Sequence, residues 1–399
     1  MRKAWLINVE DTVGPEIAGR ILDSYLLRYL PLVSPGDFFI TPHMPHSGFV
    51  AYVCRLKNLP PPKNWLIAAR PGSRPYSLCR SALQDDALAT RLRRAGTDGG
   101  LELYPFMQTA AALALARKCG LQWRGTAPEA VGAGYPAELN DKARFKEVSK
   151  KLGIRCIGGF VEDSLAEIKK AAAALSGGAG RRVIIKKTRS GGGYGNYAGT
   201  PDEVLARVAQ WHSGEPVLIE PYERFGAVCG TLSLLTDRSC DYLGADRQFI
   251  HGDSWHGCSY PHAGQPQLRE LSLAYARYFH ERGARGYVNL DWGIGETGTL
   301  TAIECNFRLN GFSHILSIAE QVFGLTPERA HIKFASAFPV AQEVPVFDAA
   351  DTLNKELAGR AFALPAGLAE HGTMPLLLAA ETEQELARAD SRAGEIFTP

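Results

Sequence analysis

The sequence contains the stretch Val183-Ile-Ile-Lys-Lys-Thr-Arg-Ser-Gly-Gly-Gly-Tyr-Gly-Asn196, in which a β-rich run ends in two lysines and opens into a glycine cluster. Glycines let backbone N–H groups approach anionic oxygens closely, and a lysine at the end of a strand adds a fixed positive charge. The glycines match neither a Walker loop nor a G-x-G-x-x-G dinucleotide fingerprint. The stretch therefore predicts a strand and loop that hold a phosphate tail, with a flexible surface turn as the alternative.

A second segment, from Asn289 to Gly311, reads as a β-hairpin that turns at residues 295–298. Side chains alternate between the two faces of a strand. Its second strand therefore has two sets of side chains: Glu304, Asn306 and Arg308 on one face, and Ile303, Cys305 and Phe307 on the other.

The polar face of this hairpin predicts a metal site. Asp291 lies on the paired strand, so Asp291, Glu304 and Asn306 can converge as oxygen ligands, which Mg²⁺ prefers. Arg308 would face the same cavity and stabilise a phosphoryl group in transfer. We add Asn310, which follows in the same run, to the catalytic candidates. An ordinary hairpin with a solvated polar face is the alternative, but charged residues inside an otherwise apolar strand argue against it.

These segments, in this order, resemble the ATP-grasp superfamily over roughly residues 136–325. The resemblance implies a fold of two α+β lobes that hold ATP and Mg²⁺, with Mn²⁺ as an alternative, between them. It further implies one set of residues around the nucleotide: Lys142 and Lys186, the loop Ser190, Gly191, Gly192, Gly193, Tyr194 and Gly195, and the hinge Glu220, Pro221, Tyr222 and Glu223. Asp291, Glu304 and Asn306 match its metal ligands, and Arg308 matches its arginine.

One position departs from the superfamily pattern. Many members carry Gly-x-Glu just after the hinge, whereas this chain has Ala227 where the acid would stand. Glu223 is our substitute candidate for ribose recognition. The choice between Lys186 and Lys187 also stays open, although strand alternation allows one of the two to face the nucleotide.

The composition is that of an ordinary globular protein. The 399 residues are 45% hydrophobic and 22% charged, with a net charge of +2, and basic residues do not cluster with aromatic ones. We therefore expect no nucleic-acid partner. Eight scattered cysteines without a C-x-x-C pair predict neither a zinc site nor a disulfide framework. With no apolar run of membrane length, we expect a soluble, cytoplasmic protein.

Composition and periodicity divide the chain into four predicted parts. Strands alternate with helices before residue 135, which resembles the Rossmann-like pre-ATP-grasp domain. The predicted α/β organisation is then: 1–135, pre-ATP-grasp domain; 136–214, lobe with the glycine loop; 215–338, lobe with the metal hairpin; and 339–399, a small C-terminal α/β extension. This layout resembles bacterial natural-product peptide ligases of the pheganomycin type.

A region of mixed histidines, aromatic residues and polar residues runs from Arg247 to His262. We expect it to face the acceptor, with Arg247, His256 and Ser259 as candidates. Arg247 is favoured because a guanidinium can bind a carboxylate through two hydrogen bonds.

The resemblance implies an ATP-dependent carboxylate–amine ligase that forms an amide through an acylphosphate and releases ADP and phosphate. Its partners would be a small carboxylate, such as an amino acid, and an amine or peptide. Two alternatives remain open: ligation to the thiol of a carrier protein, and an ATP-grasp kinase or a nucleotide-binding regulator without turnover. A homodimer also stays open.

Overall fold

The computed structural model describes residues 1–69, 77–97, 100–177, 181–191, 193–252, 254–263 and 266–398, and at residues 15–20 it describes the backbone alone. In these ranges the chain forms three sheets with helices packed against them.

The N-terminal region forms a parallel sheet in the order β3-β2-β1-β4. Its strands are β1 Arg2–Leu6, β2 Phe38–Thr41, β3 Leu66–Ala68 and β4 Leu101–Pro105. Its helices are α1 Glu10–Val13, α2 Pro15–Tyr29, α3 Ser47–Lys57, α4 Leu78–Gln84, α5 Asp86–Thr97 and α6 Ala110–Cys119. Short apolar strands separated by helices form parallel sheets, because the connection must cross back over the sheet. The Rossmann-like sheet that the sequence predicts is confirmed.

Three helices lead into a small antiparallel sheet in the order β5-β8-β6-β7. The helices are α7 Pro128–Gly132, α8 Tyr135–Leu139 and α9 Lys142–Lys151. The sheet contains β5 Phe160–Glu162, β6 Val183–Lys187, β7 Asn196–Gly199 and β8 Val217–Pro221, and it packs on α10 Leu165–Ser176 and α11 Pro201–Val208. Both packing helices begin after a residue whose hydroxyl group caps the helix, Ser164 for α10 and Thr200 for α11.

The rest of the chain forms one antiparallel sheet in the order β13-β12-β9-β10-β11-β14-β16-β15. Its strands are β9 Ala227–Leu235, β10 Cys240–His251, β11 Ser254–Tyr260, β12 Gly286–Ile294, β13 Leu300–Asn306, β14 His331–Pro339, β15 Ala361–Pro365 and β16 Thr373–Ala380. The accompanying helices are α12 Pro266–His280, α13 Gly311–Phe323, α14 Val346–Leu357 and α15 Glu383–Phe397. The predicted C-terminal extension thus contributes β15 and β16 to the same sheet as the metal hairpin.

One hydrophobic core joins the two ends of the chain. It includes Trp5 of β1, Phe49 of α3, Ile315 of α13, Phe334 of β14 and Phe397 of α15, all at most 1% exposed. Helix α3 fills part of this core with residues from the proline-rich segment 45–62, which sequence periodicity leaves unassigned. The N-terminal helices, the large sheet and the C-terminal helix are therefore fixed relative to one another.

Among the described residues, the structure contains no helix with the length and apolar character needed to span a membrane.

Replacing Phe397 with alanine is expected to lower the free energy of unfolding by about 3–4 kcal/mol, because a buried ring that packs edge-on against Phe338 would leave a cavity. Urea denaturation followed by circular dichroism measures the change. Leu165→Ala, at a residue 44% exposed, is the control and should cost less than about 1 kcal/mol. Equal effects of the two substitutions would show that the C-terminal helix is not part of the shared core.

Candidate functional site

A cavity of about 700 Å³ lies between the small sheet and the large sheet. One end is lined by apolar side chains, Ile157, Ile184, Val228 and Ile303. Its middle is lined by Lys186, Asp291, Glu304, Asn306 and Arg308. The sequence-predicted hairpin and lysine strand therefore meet in one concave site.

Two carboxylates oppose each other at the centre of this cavity. Asp291 of β12 and Glu304 of β13 are register partners, and Asn306 lies opposite Asn289. The amide of Asn306 donates hydrogen bonds to Asp291 Oδ2 (3.0 Å) and Glu304 Oε1 (3.3 Å). Gln248 Nε2 donates to Asp291 Oδ1 at 2.7 Å. The three predicted metal ligands thus form one cluster.

The register of the hairpin corrects one sequence prediction. Strand alternation places Ile303 on the face away from the polar residues, yet Ile303 lines the cavity with Glu304. The pairing shifts between Asp291 and Trp292, so that Glu304 and Ala302 pair with consecutive residues and Ile303 has no register partner on β12. Such a bulge turns an extra side chain toward the same face.

The two carboxylates titrate differently. Burial, then the charges of Glu304 and Asp246, raise the pKa of Asp291 well above its ordinary value. Burial also acts to raise the pKa of Glu304, but Lys142, Arg308 and Lys186 outweigh it and lower that pKa to about 2. The surroundings therefore favour the protonated form of Asp291 and the ionised form of Glu304.

Lys142, the first residue of α9, contacts both the carboxylate cluster and the glycine loop. Its Nζ lies 3.1 Å from Glu304 Oε2 and donates to Ser190 Oγ at 3.2 Å. Helix α9 is held in place by its N-cap Asp141, which also forms a 3.0 Å ion pair with Arg189. Lys142 consequently joins the metal hairpin to the glycine loop.

A buried carboxylate, Glu220 of β8, lies between two lysines. Lys186 Nζ is 2.7 Å from Glu220 Oε2, and Lys146 Nζ contacts Glu220 Oε1. Glu220 is 1% exposed. Lys187 points to the opposite face of β6, where its Nζ lies 4.5 Å from the centre of the Trp211 ring. The structure thus resolves the choice that the sequence left open, because Lys186 and not Lys187 lines the cavity.

The glycine loop lies close to Arg308. A Cβ at Gly191 would come within 2.8 Å of Arg308 Nη2, and one at Gly195, where φ is +79°, within 2.8 Å of Lys187 Cγ. Gly193 lines the cavity, whereas Tyr194 is 38% exposed. Gly192 lies outside the described residues. A side chain at Gly195 would strain the backbone and meet Lys187, whereas one at Gly191 would displace the end of the Arg308 side chain.

The far end of the cavity contains residues that sequence reasoning missed. Arg28 of α2, Asp246 of β10, Trp255 of β11 and Phe312 of α13 line it, and Gln248 of β10, which was also missed, lies at the centre beside Asp291. Burial raises the pKa of Asp246 to about 7. This end thus combines a guanidinium, a carboxyl group and aromatic rings.

Comparisons with known proteins identify the architecture. Residues 26–121 match the family model of the pre ATP-grasp domain. The L-propargylglycine–L-glutamate ligase of Streptantibioticus cattleyicolor is 25% identical over 274 residues, which cover 61% of this chain and 55% of that protein. The chain therefore spans just over half the length of this curated relative.

Several solved structures share the complete fold. The N5-carboxyaminoimidazole ribonucleotide synthetase of Thermus thermophilus has a TM-score of 0.61 at 13% identity, covering 100% of this chain and 99% of that one. The biotin carboxylase of Campylobacter jejuni has a TM-score of 0.60 at 12% identity, covering 100% and 95%. The chain has the ATP-grasp fold. The predicted fold class, with its pre-ATP-grasp domain, is confirmed.

Within this ATP-grasp fold, the predicted acceptor residues lie elsewhere. Arg247 and Ser259 are register partners on β10 and β11, and neither lines the cavity. Alternation along β10 directs Asp246 and Gln248 to the cavity instead. His256 is exposed, with its ring 5.7 Å from that of His251. Arg247, His256 and Ser259 therefore lie outside this cavity, and their role in acceptor binding stays a prediction.

The remaining predicted residues also have defined places. Pro221, Tyr222 and Glu223 line the apolar end of the cavity. The Arg182 guanidinium lies 4.4 Å from the centre of the Tyr222 ring. Asn310 lines the cavity and caps α13, since its Oδ1 accepts hydrogen bonds from the N–H groups of Phe312 and Ser313, both at 2.9 Å. Its side chain is therefore occupied with the helix terminus.

The donor chemistry at the centre fits a divalent cation of the magnesium type. No cluster of three or more His, Cys, Asp or Glu residues suited to a metal occurs in the described ranges. The set that does occur combines two carboxylates with one amide, and Mg²⁺ binds few protein oxygens when phosphate and water complete its shell. A half-turn of the Asn306 amide would present its oxygen to the cluster.

Replacing Glu220 with glutamine should lower the free energy of unfolding by about 3 kcal/mol, because Lys146 and Lys186 would lose a buried counter-charge. Urea denaturation at pH 7 tests this. Glu356→Gln, which breaks an exposed pair with Arg392, is the matched control and should change the stability far less, because water screens that pair. A Glu220 variant as stable as the parent would contradict a structural role for this ion cluster.

Proposed function

We propose that this protein is an ATP-dependent carboxylate–amine ligase that releases ADP and phosphate. The observation that carries the proposal is the opposed pair Asp291 and Glu304, surrounded by Lys142, Lys186 and Arg308, in a cavity large enough for two substrates. One relative is named as a ligase of two amino acids. A solved structure with the same fold, a carboxyaminoimidazole ribonucleotide synthase from Aspergillus clavatus, was complexed with ATP; its TM-score is 0.61 at 11% identity, covering 99% of this chain and 98% of that one.

The nucleotide would lie along the β6 and β8 side of the cavity. Ile157, Ile184, Val228 and Ile303 form an apolar slot suited to a planar base, next to the backbone of the hinge. Lys186, held by Glu220, would bind phosphate oxygens, and the glycine loop would cover them. Asp291, Glu304 and Asn306 would hold magnesium, which neutralises phosphate charge when bound.

The chain's own cations would guide the transfer step. Arg308, anchored by a hydrogen bond from its Nη1 to Asn140 Oδ1, points toward the glycine loop. It would neutralise charge as a substrate carboxylate oxygen attacks the γ-phosphorus and ADP leaves. A neutral amine then attacks the acyl carbon, phosphate departs with the attacking oxygen, and the amine proton is lost. Positioning and fixed charge would supply the acceleration, without a protein nucleophile.

We further propose that the substrates are small molecules, that ligation serves natural-product biosynthesis and that the protein acts in the cytoplasm. Its eight cysteines are unpaired, as a reducing compartment favours. A homodimer remains a prediction.

Two adjacent lysines provide a matched test of the nucleotide site. Lys186→Met should weaken ATP binding by about 10-fold or more, since a buried ammonium that lines the cavity is lost. Lys187→Met should change it less than about 2-fold, because that ammonium lies over Trp211. Isothermal titration calorimetry with the non-hydrolysable analogue AMP-PNP and Mg²⁺ measures both. Equal losses would show that the lysines act through charge alone.

Isotope transfer tests the reaction. Carboxylates are first pooled, with L-glutamate and L-propargylglycine included, and screened for ADP release in the presence of hydroxylamine. Activation as an acylphosphate predicts a hydroxamate. The active carboxylate, labelled with ¹⁸O, should then transfer one labelled oxygen to the released phosphate when an amide forms.

Other outcomes identify other functions. A stable phosphorylated product would indicate a kinase, and binding of ATP without ADP release would indicate a regulator. Unlabelled phosphate from a reaction that still forms an amide would contradict the acylphosphate step. Glu304→Gln serves as the control that removes a metal ligand, and it should abolish turnover while the circular dichroism spectrum is retained.

A further inference from the structure

Arg28 occupies a fixed position at the far end of the cavity. It belongs to the last turn of α2, and its carbonyl accepts a hydrogen bond from His314 Nε2 at 2.8 Å. Its guanidinium lies 5.4 Å from the centre of the Tyr25 ring, 5.9 Å from that of Trp255 and 5.3 Å from that of Phe334. Three ring faces therefore orient the guanidinium before any ligand arrives.

The same guanidinium has no anionic partner in the described part of the chain. None of the ion pairs there includes Arg28. Its Nε–H is buried and has no hydrogen-bond acceptor among the described residues. A buried N–H without an acceptor is costly, and an anion bound at this guanidinium would supply one. Since Arg28 lines the cavity, the fitting anion comes from a ligand in that cavity.

Arg28 and Arg308 are held in different surroundings. Arg308 is bonded to Asn140 and lies against the glycine loop, which is the phosphate side. Arg28 lies among Tyr25, Trp255 and Phe334, at the far end of the cavity. A carboxylate that receives phosphate must lie near Arg308. A carboxylate that instead contacts Arg28 and its three rings would be a second one, which the reaction leaves unchanged.

We propose that Arg28 binds the spectator carboxylate of the amine substrate, so that the acceptor is an α-amino acid or a peptide with a free carboxyl terminus. This inference rests on the proposed ligase function. Trp255 and Phe312 would pack against the acceptor's apolar atoms, and Asp246, whose Oδ1 accepts a hydrogen bond from the N–H of Gly230 at 2.6 Å, faces the cavity beside them. The amino group of the substrate could then donate a hydrogen bond to the Asp246 carboxyl group.

The test compares free acids with their amides. L-glutamate, L-alanine and L-leucine are each offered as the free acid and as the α-carboxamide, together with the carboxylate that gives a hydroxamate. The parent protein should prefer free acids. Arg28→Gln should raise the KM for the free acid by about 10- to 100-fold, and that for the carboxamide by less than about 2-fold. For the free acid, the KM of Arg28→Lys should lie between that of the parent and that of Arg28→Gln, because lysine keeps the charge but loses the planar guanidinium group.

Hydroxylamine distinguishes a failure of this inference from a failure of the proposed function. It accepts the acyl group but has no carboxylate of its own that Arg28 could bind. Hydroxamate formation and the KM for ATP should be the same in Arg28→Gln and the parent. Arg269→Gln, at an exposed arginine 5.7 Å from the centre of the Tyr242 ring and outside the cavity, is the matched control and should change neither substrate's KM.

Three results would overturn the inference. If the parent uses free acids and carboxamides equally well, the acceptor needs no spectator carboxylate for binding. A parallel loss of hydroxamate in Arg28→Gln would assign Arg28 to the activated substrate or to the fold. Absence of hydroxamate in the parent, with every carboxylate in the pool, would instead reject the ligase function itself.

Discussion

Electrostatic repulsion between Asp291 and Glu304 is the constraint around which the cavity is built. The two carboxylates are register partners on adjacent strands, and both are withdrawn from bulk water. Like charges in such a site cannot both remain ionised unless cations approach them. Lys142 lies 3.1 Å from Glu304, and Gln248 donates a hydrogen bond to Asp291. The position of α9 behind the hairpin follows from this requirement.

Lys146 and Lys186 are held in place by a second buried carboxylate, Glu220. Glu220 contacts both Lys146 and Lys186, so the ammonium group that faces the cavity has a fixed position in the absence of phosphate. Charges that are already oriented need no rearrangement when a charged transition state forms. The glycine loop completes this end, because Gly191 leaves space for Arg308 that a larger residue would fill. The same buried ions would thus serve both stability and the proposed binding of phosphate.

The sequence predicted the parts of the site that local patterns specify. The period-two polar run gave Asp291, Glu304 and Asn306, and the glycine cluster gave the loop beside Lys186. The bulge at Ile303 could not be predicted, because it depends on pairing with β12 across the hairpin. On β10 the pattern alone could not tell which face would meet the cavity, and Arg247 was chosen where Gln248 lies inside.

Arg28 was beyond sequence reasoning for a different reason. It lies in the N-terminal helix α2, and two of the rings that orient it, Trp255 and Phe334, are more than 200 residues away in the chain. Local sequence patterns do not indicate contacts between residues that lie so far apart in the chain. The N-terminal region, the large sheet and the C-terminal helix share one hydrophobic core, which fixes α2 against the cavity.

The two ends of the cavity are built from different parts of the fold. The end of the cavity next to Lys186 is built from strands of the two lobes, and solved structures that are 10–15% identical to this chain share this fold. The far end is built from α2, β11 and α13, which meet through the common core. If the proposed function holds, residues such as Arg28 and Trp255 could change with the substrate without altering the paired strands that would hold phosphate. Substrate choice would then depend on how the N-terminal helix packs on the large sheet.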